Sequence, residues 1–259
     1  MTDQRDNHEP GEEQLAEGTL MSHLLELRSR LMKAVFAIVI VLIGLTPFSQ
    51  RVFEYVSDPI RRVVPGGKLI VTKVASPFLT PFKTTFFVAL FIAMPYVLFQ
   101  VWQFVAPGLY RREKRFAMPL LISSILLFYV GIAFAYFVVF QVMFTFFARV
   151  TPTGVAMTPD IDAYLDFVLE MFLAFGLVFE VPIATLMLVW SGLVSLQTLT
   201  KIRAYMLLVA FTVGLILAPD VFSQTLLAVP MYLLYEAGLL LARVMLPEKT
   251  RVVEKEAET

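Results

Sequence analysis

Four stretches of this chain contain no Asp, Glu, Lys or Arg: 17 residues at 34–50, 27 at 84–110, 33 at 116–148 and 16 at 204–219. A helix needs roughly 17–25 apolar residues to cross the hydrocarbon core of a bilayer, so three of the four runs are near or above that length. Two further apolar regions, 167–190 and 221–242, are interrupted only by Glu170 and Glu180 in the first and Glu236 in the second. The chain is 58% hydrophobic and 16% charged, where soluble domains run near half and a quarter. An ordinary soluble globular fold is excluded. The expected fold class is all-α, a polytopic membrane protein with six transmembrane helices.

The spans are expected at about 31–48, 84–106, 116–148, 164–190, 204–218 and 223–243, within a membrane domain of 19–246. Residues 1–18 carry six acids against Arg5, the reverse of a signal peptide's basic start, and are expected to be a disordered, uncleaved tail. Leu20, Leu24, Leu27 and Leu31 recur at helical spacing, which predicts an interfacial helix running into the first span. Residues 49–83 form the longest connection, rich in Pro and Gly, and read as an ordered cap. Within it, Phe53 to Val64 can form an amphipathic helix at the interface. The third span would be roughly 50 Å long against a core of about 30 Å, which requires tilt or protrusion. The fifth, at roughly 23 Å, is short. Asp220 or Ser223 is placed to cap the sixth. Residues 247–259 form a charged tail.

An even number of spans puts both termini on one side, and basic residues concentrate on the cytoplasmic side. The terminal segments and the connections 107–115 and 191–203 hold 14 Lys and Arg; the other connections hold 7. Both termini are therefore expected to be cytoplasmic. Lys plus Arg equals Asp plus Glu, 21 each, so charge gives no argument for nucleic acid. There is no Cys, which removes disulfides and thiolate chemistry. Both His residues lie in the N-terminal segment, and Gly67-Lys68 lacks the flanking residues of a phosphate-binding loop. No cofactor, metal site or catalytic group is expected, and any uphill work must draw on an ion gradient or a partner.

The informative residues are acids out of place. A charged group in mid-membrane costs roughly 2.5–3.5 kcal/mol on insertion scales, so Glu180 must face the bundle interior or a wet cavity. It is either a packed, hydrogen-bonded group or a polar, proton-responsive site with Gln224 and Glu236 as companions. Glu170, nearer the outer surface, reads as interfacial. Glu26 has an ordinary partner in Arg30 one turn on, and Glu113 sits among Arg111, Arg112, Lys114 and Arg115. Phe104, Pro107 and Tyr110 fit an aromatic belt and turn.

Five segments in order along the six spans carry a resemblance: His23-Leu-Leu-Glu-Leu-Arg-Ser-Arg30, Val74-Ala-Ser-Pro-Phe78, Phe104-Val-Ala-Pro-Gly-Leu-Tyr110 followed by Glu113, Phe179-Glu-Val-Pro182 and Pro219-Asp-Val-Phe-Ser-Gln224. Over roughly 20–245 the chain resembles the TatC family of the twin-arginine protein translocase. The resemblance implies a glove-like, concave bundle in the bacterial cytoplasmic membrane that receives folded proteins bearing twin-arginine signal peptides. Glu26 and Glu113 would accept the two guanidinium groups, because planar, permanently charged arginines are best held by carboxylates. Arg28, Phe104 and Leu109 would help to shape that site. Glu180 would be the family's intramembrane glutamate. Asp220 and Gln224 would lie where the single-span partners TatA and TatB dock. A homo-oligomer in surrounding lipid, driven by the proton motive force, completes this expectation. The rival reading is a proton-coupled small-molecule transporter using Glu180, against which the chain shows no inverted repeat.

Overall fold

The computed structural model describes residues 10–63, 70–105, 114–152, 158–217 and 220–245. The described residues are nearly all helical and contain no strand; residues 70 and 160 form one isolated bridge. The first helix, α1, runs Pro10–Leu45. A 3-10 turn, Thr46–Phe48, with Pro47 inside it, carries the chain into α2, Ser49–Val63. Helix α3 spans Ser76–Val105. Helix α4, Lys114–Phe134, continues through a π-helical turn at Ala135–Val139 into α5, Phe140–Val150. Then follow α6, Ile161–Val178; α7, Val181–Trp190; α8, Leu196–Lys201; α9, Arg203–Leu217; and α10, Val221–Met245.

Among the described residues, five helical stretches are long and apolar enough to cross a membrane: 24–57, 76–104, 118–147, 161–190 and 221–245. Helix α9, at 15 residues, is the short sixth, as its sequence predicts. The surface agrees with a lipid solvent, since Phe36, Ile43, Leu233 and Ile216 are all 60% exposed or more. In water such surface would drive aggregation.

Several boundaries differ from expectation for local reasons. Residues 10–18 belong to α1, where a disordered tail was expected. Pro10 opens the helix with its fixed φ, and Gln14 to Glu17 are strong helix formers. Residues 1–9 and the expected tail at 247–259 lie outside the described residues. The second span begins at Ser76 rather than 84. The fourth is two helices, because Pro182 has no N–H to offer the carbonyl of Val178, where α6 ends.

Helix α1 packs on α3, and α2 turns Val52, Phe53, Val56 and Ser57 inward while Arg51, Glu54 and Tyr55 stay exposed. Helix α4 packs on α6, and α10 on both α7 and α9. One core joins Leu98, Trp102, Phe128, Leu186, Trp190, Tyr235 and Leu239; a second joins Val139, Met143, Met171, Phe175 and Leu227. Close approach of α4 and α6 depends on two glycines. A Cβ at Gly131 would stand 2.5 Å from the carbonyl oxygen of Phe175, and one at Gly176 would stand 2.5 Å from the Phe128 ring.

The ordered cap expected from 49–83 is visible in its described part. Thr72 donates through its backbone N–H (2.8 Å) and its hydroxyl (2.6 Å) to Asp160 Oδ2. Asp160 Oδ1 accepts the N–H groups of Asp162 and Ala163, both at 3.0 Å, and so caps α6. Lys73 and Thr80 each reach Asp162 at 3.1 Å, and Lys83 pairs with Asp166.

Candidate receptor face and intramembrane site

At one end of the bundle, α1 and α3 carry the first group of predicted residues. Glu26 and Arg30 share a helix face one turn apart. Arg30 donates through Nε (2.9 Å) and Nη2 (2.5 Å) to Glu26 Oε1, and through Nη1 (2.6 Å) to Gln103 Oε1 on α3. One guanidinium thus ties the glutamate to the neighbouring helix beside Phe104. Glu26 and Arg30 are both partly buried, which limits the competition from water that makes fully exposed pairs weak. Arg28 is exposed on α1, and Phe104 is half-buried on α3. Glu113 and Leu109 lie outside the described residues. The ordinary pairing expected for Glu26 is therefore present, and Gln103 is the partner the sequence did not point to. Nothing in its spacing separates Gln103 from its neighbours; only the packing of α1 on α3 does.

The second group is built around the apolar helical stretch 161–190. Glu180 sits at the break between α6 and α7, where the chain makes a tight turn: its N–H donates to Leu177 O at 3.1 Å and its carbonyl accepts from Ala184 N at 2.9 Å. Ser124 Oγ on α4 donates to Glu180 Oε2 at 2.5 Å. Ser124 is fully buried, and Glu180 Oε1 is buried without a hydrogen bond among the described residues. The glycine contacts of α4 and α6 bring these two groups together. Ser124 escaped notice because one hydroxyl in a 33-residue uncharged run normally bonds its own helix backbone.

The companions expected for Glu180 are engaged elsewhere. Gln224 Nε2 donates to the carbonyl of Phe211 at 2.9 Å, linking α10 to α9. Glu236 pairs with Arg203 at 3.0 Å and accepts from Tyr232 at 3.1 Å. The reason is register: Arg203, the first residue of α9, supplies a charge that Glu236 meets across the α9–α10 contact. Of the two capping candidates for α10, Asp220 is the one used, accepting Ser223 N–H at 2.8 Å on Oδ1. Gly214 allows this corner to close, since a Cβ there would stand 2.9 Å from Gln224 O. Among the described residues no cluster of His, Asp and Glu is placed to hold a metal ion.

Helical spans, lipid-compatible surfaces and buried polar pairs define a multi-pass α-helical membrane protein. Comparison with known proteins narrows the class. The model of the family described as Sec-independent protein translocase protein (TatC) matches residues 22–230. A TatC of Azotobacter chroococcum is 58% identical over 85% of this chain and 87% of its own, and that of Escherichia coli K12 is 48% identical over 86% and 88%. A crystal structure titled Twin Arginine Translocase Receptor- TatC superposes with a TM-score of 0.79 at 38% identity, covering 86% of this chain and 98% of that one. This chain belongs to the TatC family.

Proposed function

We propose that this protein is the receptor and core subunit of a translocase that exports folded proteins with twin-arginine signal peptides across the bacterial cytoplasmic membrane. The observation that carries the reading furthest is the Arg30 guanidinium on Glu26. It supports a position suited to planar cations, because two nitrogens of one guanidinium already converge on one carboxyl oxygen. Among the described residues both bonds fall on Oε1, and in this reading Oε2 accepts an incoming arginine. In this reading Glu26 takes one arginine of the signal and Glu113 the other, with Arg28, Phe104 and Leu109 shaping the surface around them.

The protein acts as a binding and assembly subunit rather than an enzyme. TatA and TatB dock around Asp220 and Gln224, copies of the chain associate within the complex, and the proton motive force supplies the work. Both termini face the cytoplasm, on the side holding most of the basic residues. Glu180 is the intramembrane polar site. Family membership gives no support to the rival reading as a proton-coupled small-molecule transporter.

The test is the affinity of the purified chain for an Arg-Arg signal peptide against the same peptide with Lys-Lys. Charge is equal in the two, so carboxylate recognition of planar guanidinium predicts a clear preference for Arg-Arg. The double variant Glu26→Ala/Glu113→Ala should remain inserted and lose binding. Equal affinity for the two peptides, or unchanged binding in the double variant, overturns the reading.

A further inference from the structure

The end of the bundle formed by α8 and α10 carries a cleft of about 300 Å³ lined by Leu196, Gln197, Thr200, Lys201 and Arg243. We propose that this cleft binds the phosphate of an anionic phospholipid headgroup, with Lys201 and Arg243 as its cationic ligands and Gln197 and Thr200 as neutral hydrogen-bonding groups.

The charge balance is the first argument. Three bases cluster here, and among the described residues Arg203 alone is matched, by Glu236. Arg243 makes one long bond to Thr200 Oγ1, at 3.4 Å, and neither Arg243 nor Lys201 has a carboxylate partner among the described residues. Both stand in the last turn of their helices. A helix C-terminus contributes roughly half a negative charge, so two of them leave the pair with a net positive charge. A phosphate complements it.

The second argument separates a lipid from a soluble anion. Arg243 is flanked on α10 by exposed Leu240, Leu241, Val244 and Met245, and Leu193 is exposed just before α8. The cations therefore stand where apolar surface ends, the arrangement that places acyl chains against the helix and the headgroup in the cleft. Basic pockets between membrane helices on the cytoplasmic side hold anionic headgroups in this way. The cleft's lining shares no residue with the α1–α3 face of Glu26, and the proposal needs nothing from the receptor reading.

The full chain in a mild detergent would be titrated separately with short-chain phosphatidylglycerol, short-chain phosphatidylcholine and inorganic phosphate. Phosphatidylglycerol should bind more tightly than phosphatidylcholine, by roughly thirtyfold for two cations meeting one anionic headgroup. Lys201→Gln/Arg243→Gln should erase that preference. Lys33→Gln/Arg149→Gln, which removes the same formal charge elsewhere, should preserve it. Lys201→Arg/Arg243→Lys should keep the preference and the melting temperature, which separates loss of charge from loss of fold. The proposal fails if phosphatidylcholine binds equally well, if the Gln pair leaves the preference intact, or if the charge-preserving pair melts normally without it. Inorganic phosphate binding as tightly as phosphatidylglycerol would mark a soluble-anion site and overturn the lipid assignment.

Discussion

Asp160 joins two distant parts of the chain with one carboxylate, and its hydrogen bonds show how. The Thr72 hydroxyl, then the N–H groups of Ala163 and Thr72, hold its carboxyl at about 2 against an ordinary 3.8. A carboxyl lowered by folding stabilises the fold fully above its unfolded value and loses that contribution as pH falls through the folded one. The melting temperature should therefore drop more steeply between pH 4 and pH 2 in the wild type than in Asp160→Asn, and parallel curves would remove Asp160 from the latch. Arg30 gives a second residue-scale prediction. Arg30→Ala should weaken Arg-Arg peptide binding several-fold while costing about 1 kcal/mol or less in stability, as expected for a partly exposed pair. Calorimetry and thermal melts on the same variant check both. At this scale the sequence was only partly legible. Glu26 with Arg30, and Asp220 as a cap, follow from helical spacing and capping chemistry. Gln103, Ser124 and Asp160's second partner Thr72 do not, because each contact crosses between elements more than 50 residues apart.

Among the elements, hydrophobic run length points to the helices that form five long apolar stretches and one short apolar helix, because a bilayer imposes its thickness on any helix that crosses it. Run length does not see interruptions that keep the chain helical, which is why the π-helical turn at Ala135–Val139 and the α6–α7 break were invisible. The break does have a local signature in Pro182, four residues beyond the last residue of α6. Packing of α4 on α6 makes a sharp prediction. Gly131→Ala forces a methyl against the Phe175 carbonyl and should cost about 1–3 kcal/mol. Gly44→Ala, with nothing within 4 Å of its Cβ, should be neutral or stabilising by about 0.5–1 kcal/mol from helix propensity. Thermal melts of the two variants in one detergent should separate them, and Gly131→Ala should also loosen the Ser124–Glu180 bond that this packing creates.

For the whole molecule, the positive-inside partition predicts the topology directly. With no native cysteine, single substitutions can be labelled without background. Lys73→Cys should react with an impermeant maleimide from the periplasmic side, and Gln197→Cys only after the membrane is opened; the reverse pattern would invert the orientation. The latch between Thr72 and Asp160 also has a consequence for assembly in time. Its partners are 88 residues apart, and a ribosome adds roughly 5–20 residues per second. The first two spans, complete once Val105 is made, thus wait roughly 3 to 11 s in the bilayer before the residue that closes their outer face is made. During that interval the hairpin must hold itself together on the packing of α1 and α2 against α3, so defects there should surface as degradation of nascent chains rather than as a failure of the finished translocase.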